Sequence, residues 1–150
     1  MTVKLKGEPF DPHAELAAFE RRQGEDVGAV ASFIGRMRAD GGARQLTLEH
    51  YPGMTEKEIG RIVREARARW SLDDALVIHR YATIQVGDPI VLVAAAAAHR
   101  GEALAAVAFI IDYLKTRAPF WKKEDRDKGS AWVDARDADD QAAEKWTKQN

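Results

Sequence analysis

The sequence predicts an α+β domain with a mostly antiparallel or mixed sheet. Short stretches rich in β-branched or alternating apolar residues are interspersed with longer stretches of helical periodicity, and turn residues separate most of them. The 150 residues are enough to bury a real core, and 45% of them are hydrophobic while 31% are charged, as in globular proteins. We therefore expect residues 1–150 to form a single domain.

The elements follow one another along the whole chain without a repeat or a linker. Strands are expected, in chain order, at residues 27–34, 46–51, 75–81, 84–86, 90–98 and 132–133. Helices are expected from residue 12 to about 24, from 55 to 70, from 101 to 115 and from 138 to 148.

Local signals mark the ends of several helices. Asp11 before Pro12 is typical of a helix N-terminus, and Thr55 with Glu58 has the spacing of a capping box. Pro119 is expected to end the third helix, because a residue that precedes proline is pushed towards an extended conformation. The segment from Gly35 is expected to be a loop, since it contains two adjacent glycines and few apolar residues.

Two assignments rest on a choice between competing signals. Residues 90–98 are rich in alanine, which favours helices, but their β-branched start and short length favour a strand packed under a helix. The third helix is expected to bury one apolar face, widened by two further residues. That face consists of Leu104, Val107, Ile111 and Leu114, with Ala108 and Ile110 beside them.

Composition excludes several classes of protein. The net charge of -1 argues against a general nucleic-acid or membrane-surface binder. The absence of cysteine excludes disulfides, thiolate zinc sites and a thiol nucleophile in this chain. The first residues lack the apolar core of a signal peptide, and the longest apolar run is too short to span a bilayer, so we expect a cytoplasmic protein.

No common catalytic or nucleotide-binding motif is present, and the four histidines do not have metal-ligand spacing. We therefore expect neither a metal nor a cofactor. His50 and His79 lie within predicted strands, where a structural role is the favoured interpretation.

Three clusters of cations are more informative. The first consists of Arg36 and Arg38, which follow a predicted strand. The second is His99 and Arg100, between a predicted strand and a predicted helix. The third is the segment 112–126, in which Lys and Arg residues lie close in sequence to large apolar residues. Helix starts and arginine side chains both favour anions. From the residues alone, the chain is an anion-binding α+β domain with possible lysine chemistry.

Within the third cluster, two features have a structural explanation of their own. Lys122 and Lys123 precede three further charged residues, which favours an exposed, salt-linked turn. Phe120 and Trp121 are expected to anchor this segment in the core.

The stretch DYLKTRAPFWKKE, residues 112–124, closely resembles the signature of the large, catalytic subunit of molybdopterin synthase. The resemblance covers nearly the whole chain. It includes GAVASFIGRMR, LTLEHYPGMTEKEI, IHRY, the VGD turn, AAAHRGEA and the closing WVDAR, in the order of that family.

The resemblance implies an α/β hammerhead-type fold with packed helices and a homodimer of this subunit within a heterotetramer. The other partner would be a small ubiquitin-like sulfur carrier with a C-terminal Gly-Gly thiocarboxylate. The reaction implied is the transfer of two sulfurs to cyclic pyranopterin monophosphate, which forms the dithiolene of molybdopterin. We expect neither nucleic acid nor a membrane to be a partner.

The resemblance also implies roles for individual residues. Lys115 and Lys122 match the two active-site lysines of the family, and Lys115 is assigned to the partner's terminal carbonyl as proton donor or electrophilic stabiliser. The remaining matches are expected to bind substrate. They are Arg36, Met37, Arg38, His99, Arg100, Lys123, Glu124 and Arg136. Because the site of the family lies near the dimer interface, some of these residues are expected to serve the pocket of the neighbouring subunit.

One segment departs from the pattern of the family. After Arg38 the loop reads ADGGARQ, which is shorter than expected and lacks polar Asn or His residues at its start; Arg44 is a partial substitute. Two alternatives stay open. One is a non-catalytic module that binds a ubiquitin-like tail or another anionic ligand, and the other is a nucleotide- or RNA-binding domain, against which the near-neutral charge argues.

Overall fold

The computed structural model describes residues 1–39, 42–126, 129–133 and 137–147. Helices in this part of the chain are α1 (Pro12–Arg21), α2 (Met54–Trp70), α3 (Arg100–Thr116) and α4 (Asp137–Thr147). The strands are β1 (Thr2–Lys6), β2 (Ala29–Arg36), β3 (Ala43–His50), β4 (Asp74–Arg80), β5 (Ala82–Gln85), β6 (Pro89–Ala97), β7 (Phe120–Arg126) and β8 (Gly129–Val133).

The strands form two four-stranded sheets. The first has the order β1-β4-β6-β2, in which β1 and β4 are parallel and the other neighbours antiparallel. The second has the order β5-β3-β7-β8 and is antiparallel throughout. The predicted α+β class with a mixed or antiparallel sheet is therefore confirmed.

The first sheet is covered on both faces, which explains its alanine-rich central strand. Val77 and Val93 belong to a cluster that includes residues of α2 and α3, whereas Ile78 and Leu92 pack with Phe19 of α1. Residues 94–97 of β6 have no exposed surface. Burial on both faces thus outweighs the helical preference of alanine, and the strand predicted at residues 90–98 is confirmed.

The buried face of α3 differs from the predicted one. Leu104 is 61% exposed, and Ala108 is exposed as well, whereas Phe109 and Tyr113 are buried. The helix packs against β6 and β2 on one side and α2 and α4 on others, so its buried surface is broad and turned away from Leu104. Helical periodicity identified the helix but not the orientation of its buried side.

The capping box predicted for Thr55 and Glu58 was wrong, because α2 begins before Thr55. Gly53, at φ 84°, is the N-cap, and its N–H donates to Oε2 of Glu56 at 2.8 Å. Thr55 lies inside the helix, where its hydroxyl accepts from the N–H of Tyr51 at 2.9 Å and donates to the carbonyl of Pro119 at 3.0 Å. Thr55 therefore holds the start of α2 against the segment that leads into β7.

Three local predictions near the candidate site residues were wrong. Lys122 and the charged residues after it form strand β7, not an exposed turn, and Lys122 pairs with Leu48 of β3. Arg36 belongs to β2, not to the loop predicted from Gly35. Trp121 is 48% exposed, whereas Phe120 contacts the core as predicted.

The strand β1 was not predicted, because its parallel partner β4 lies about 70 residues away along the chain.

Candidate active site

A pocket of about 60 Å³ lies where the end of α3 meets the second sheet. Its polar side chains are those of His79, Lys115 and Lys122, and the rest of its wall is apolar. The apolar lining consists of Leu46, Leu48, Ile90, Val91, Ile111, Leu114, Ala118 and Phe120. Two lysines in an apolar setting make this pocket suited to the charged end of a small anionic group.

The two lysines reach the pocket from different elements. Lys115 lies in the last turn of α3, where a cation is favoured by the helix dipole, and its side chain is exposed. Pro119 then separates the helix from β7, and the bond from Thr55 fixes its carbonyl. Lys122 enters on β7 opposite Leu48, which also lines the pocket. Lys115 and Lys122, which the resemblance matches to the active-site lysines of the family, therefore line the same pocket.

His79 is the third polar group of the pocket. Its Nδ1 lies 2.8 Å from the carbonyl oxygen of Arg80, and its ring stacks on Phe120 with centroids 4.1 Å apart. Burial lowers the pKa of His79 to about 4, the bond to Arg80 acts in the opposite direction, and the ammonium groups of Lys115 and Lys122 lower it further. The imidazole is therefore neutral at pH 7.

Arg117 comes between the two lysines in sequence but not in space. Its guanidinium lies 3.9 Å from the ring centre of Tyr113, and its Nη1 lies 3.9 Å from Oε2 of Glu65 on α2. Arg117 therefore stabilises the packing of α3 on α2 instead of lining the pocket.

Arg36 and Met37 lie close to the pocket and differ in exposure. Arg36 pairs with Pro89, the neighbour of the pocket residue Ile90, and its Nε donates to the carbonyl of Gly87 at 3.2 Å. Met37 is only 6% exposed and packs in the cluster that contains Leu46 and Leu48. Its side chain thus supports the pocket wall from within the core, while Arg36 and Arg38 have exposed side chains.

His99 and Arg100 lie at the far end of α3 from the pocket. The helix has 17 residues and begins at Arg100, while Lys115 is in its last turn. At 1.5 Å per residue, the two ends are about 25 Å apart. One copy of the chain therefore does not bring His99 and Arg100 to its own lysine pocket.

The remaining predicted site residues are only partly described. Lys123 and Glu124 follow Lys122 on β7, but their side chains lie outside the described part of the chain, and Arg136 lies outside it altogether. Among the described residues, no group of three or more His, Cys, Asp or Glu side chains is arranged to hold a metal ion. Within the same ranges, no helix is long and apolar enough to cross a membrane.

Sequence reasoning assigned His79 a structural role and missed its place in the pocket. The available signal was weak, because a histidine inside an apolar strand usually has its polar atoms satisfied by the protein. Only the tertiary structure, in which His79 stacks on Phe120 of β7, places this ring beside the two lysines.

The fold and the pocket define a small α+β protein with a lysine-lined site for an anionic group. The chain belongs to the MoaE protein family, whose sequence profile matches residues 5–117. The resemblance inferred from residues 112–124 is thereby confirmed.

Relatives and solved structures agree with this assignment. The molybdopterin synthase catalytic subunit of Ralstonia nicotianae is 53% identical over 148 residues, covering 97% of this chain and 84% of the relative. The solved structure of the molybdopterin biosynthesis MoaE protein from Burkholderia ambifaria has a TM-score of 0.84 and 45% identity, with 97% of each chain covered. Molybdopterin synthase from Staphylococcus aureus has a TM-score of 0.79 and 30% identity, covering 87% of this chain and 96% of the other.

Proposed function

We propose that the chain is the catalytic subunit of a molybdopterin synthase. It transfers two sulfurs, one from each of two molecules of a small ubiquitin-like partner with a C-terminal thiocarboxylate, to cyclic pyranopterin monophosphate, which forms the dithiolene of molybdopterin. Each tail is left as an ordinary carboxylate. The observation that carries the proposal is the meeting of Lys115 and Lys122 in one pocket whose other lining side chains, apart from His79, are apolar. The names of the relatives from Ralstonia and Staphylococcus support it.

The pocket suits the end of a peptide tail without side chains. The pocket has a volume of about 60 Å³, and apart from His79 and the two lysines the side chains that line it are apolar. A Gly-Gly terminus enters such a space, and the two ammonium groups stabilise the negative charge on its sulfur and oxygen. Lys115 serves the terminal carbonyl as proton donor or electrophilic stabiliser, with Lys122 beside it.

The exposed arginines at the end of β2 are assigned to the pterin substrate. Arg36 and Arg38 carry permanent charges that bind a phosphate in bidentate fashion. Lys123, Glu124 and Arg136 complete the substrate-binding set proposed from the family resemblance. The proposal takes residues 1–150 as one domain that works in the cytoplasm.

Reconstitution tests the proposal directly. The protein is mixed with a thiocarboxylated small partner and cyclic pyranopterin monophosphate, and the dithiolene product is measured. We expect product with the thiocarboxylate and none with the same partner ending in an ordinary carboxylate, because only the former supplies sulfur. Tight binding of the thiocarboxylated partner without any product would instead identify a non-catalytic module that grips the tail.

His99 and Arg100 are proposed to serve the pocket of a second copy of the chain in a homodimer. The length of α3 keeps them about 25 Å from the lysines of their own copy, so only a neighbouring subunit brings them near a lysine pocket. The complete assembly is a heterotetramer with one small partner for each copy.

Mixing two inactive variants tests this exchange of residues. Arg100→Ala and Lys115→Ala are each expected to be inactive, but a mixed dimer contains one pocket with both residues intact. After subunit exchange, an equimolar mixture should regain about a quarter of the wild-type rate, since half of the dimers are mixed and half of their pockets are complete. A mixture as inactive as its components would show that each pocket uses its own Arg100.

A further inference from the structure

The lysine pocket contains two ammonium donors and one side chain that can accept a hydrogen bond. The ammonium groups of Lys115 and Lys122 can only donate hydrogen bonds. The other side chains that line the pocket are apolar, apart from the imidazole of His79. Among the described lining residues, His79 is therefore the only side chain that can accept a hydrogen bond from a bound group.

The orientation of the imidazole is fixed on two sides. A carbonyl oxygen only accepts, so the 2.8 Å contact with Arg80 requires the proton to be on Nδ1. Phe120 stacks on the ring at an interplanar angle of 19°, which keeps the ring from tilting. Nδ1 is thus engaged by the main chain, which leaves Nε2 as the ring nitrogen with which His79, a lining residue, can bind a group in the pocket.

The charge state of the ring gives Nε2 a free lone pair at neutral pH. His79 is 8% exposed, and burial is the main reason that its pKa falls to about 4. The charged groups that face it are Lys115 from α3 and Lys122 from β7, and both oppose protonation. The side chains that β3 and β6 contribute to this pocket are apolar.

A ligand that matches this arrangement has an anionic end and an N–H donor close to it. The C-terminus of a peptide has both, because the last amide nitrogen is separated from the terminal carbonyl carbon by a single Cα. A terminal glycine suits this arrangement, because it adds no side chain beside that amide.

We propose that His79 is a substrate-recognising residue of the lysine pocket, whose Nε2 accepts a hydrogen bond from the last peptide N–H of the inserted tail while the lysines contact its charged end. This inference rests on the proposed function for the identity of the tail. In this role His79 selects and positions the tail, whereas a purely structural histidine would not contact it.

Removing the donor from the tail and the acceptor from the pocket tests the contact. The ligand is the full-length small partner with its ordinary Gly-Gly carboxylate, compared with a semisynthetic copy whose last glycine is N-methylglycine. Wild-type protein should bind the methylated tail about tenfold more weakly, the effect of one hydrogen bond together with the unpaired acceptor. Binding of the two tails with equal affinity would overturn the proposal.

Two substitutions of His79 change the acceptor in the pocket and are tested with both tails. His79→Asn retains a donor for the carbonyl of Arg80 but lacks an acceptor at the position of Nε2, so it should bind the natural tail about tenfold more weakly and lose less than about twofold on methylation. His79→Gln places an amide oxygen near the position of Nε2 and should remain sensitive to methylation. Equal sensitivity of wild type and His79→Asn would mean that the methyl group acts by its bulk alone, which would overturn the contact.

The readout is the dissociation constant for a tail that cannot transfer sulfur, so the test does not depend on turnover. A protein that binds as expected but forms no product with the thiocarboxylate refutes the proposed function and leaves the role of His79 intact. Normal turnover without any effect of methylation refutes the role of His79 alone. Because the methylated tail is tested on wild-type protein, the proposal stays falsifiable even where a His79 variant does not fold.

Discussion

Replacement of Lys115 with alanine is expected to lower kcat for dithiolene formation at least about 100-fold, or about 3 kcal/mol of transition-state stabilisation. Lys115 lines the pocket from the last turn of α3 and is one of its two cationic groups. Since its side chain is exposed, the fold should survive, with a loss of stability of roughly 0.3–1 kcal/mol from the helix dipole. Single-turnover assays with thiocarboxylated partner measure the effect on the chemical step.

The matched control is Lys57→Ala, which removes an exposed lysine from α2 that does not line the pocket. It should retain the wild-type rate. A Lys115→Ala variant with a rate near that of the wild type would refute the catalytic role of this lysine.

Lys115→Arg separates the two roles open to this residue. Arginine keeps the positive charge but does not give up its proton at neutral pH. Substantial activity in this variant would identify electrostatic stabilisation of the thiocarboxylate, and a loss as large as that of Lys115→Ala would identify proton donation.

Acidification is expected to destabilise the protein by about 3 kcal/mol between pH 7 and pH 4 through His79 alone. In the unfolded chain this histidine takes up a proton near its ordinary pKa of 6.5, whereas burial, followed by the effect of the two lysines, lowers its pKa in the folded protein to about 4. Between these values the unfolded state binds more protons than the folded state. The free energy of unfolding therefore falls as the pH falls through this window, and urea titrations at pH 7, 5.5 and 4 measure the slope.

Asp74 does not obscure this effect, because it acts at lower pH. Burial by itself would raise the pKa of Asp74, but hydrogen bonds from Arg22, Gln23, the N-terminus and the main chain bring it well below the usual value of 3.8. Its stabilising contribution is thus present at pH 4 and lost only on further acidification. His79→Gln is the control, since it removes the titrating group. Equal losses in wild type and this variant between pH 7 and pH 4 would contradict the assignment.

Much of the fold was predictable because its signals are local. Strand patterns at residues 75–81 and 90–98 and the helical pattern at residues 101–115 matched β4, β6 and α3 to within one residue at each end. Proline at residue 119 separated α3 from the next element as expected. These segments combine a clear hydrophobic period with turn residues at their ends, so propensity and burial agree.

Predictions failed where distant partners decide the structure. The charged residues 122–126 have little intrinsic preference for a strand. They are nevertheless part of β7, because this segment hydrogen-bonds with β3 on one side and β8 on the other. Leu104 satisfies the helical period and is nevertheless exposed, because the orientation of α3 is set by the sheet and by α2 and α4.

The candidate site, like the fold, was predictable from the sequence only in part. The amino-acid sequence by itself determined the helix that carries Lys115, the break at Pro119, and the resemblance that named Lys115 and Lys122. Only the tertiary structure decided that His79 joins them, that Arg117 turns away towards α2, and that His99 lies at the opposite end of the helix. The physical reason is that side-chain chemistry and local periodicity are encoded along the chain, whereas the direction of a side chain and the identity of its neighbours depend on how sheets and helices pack.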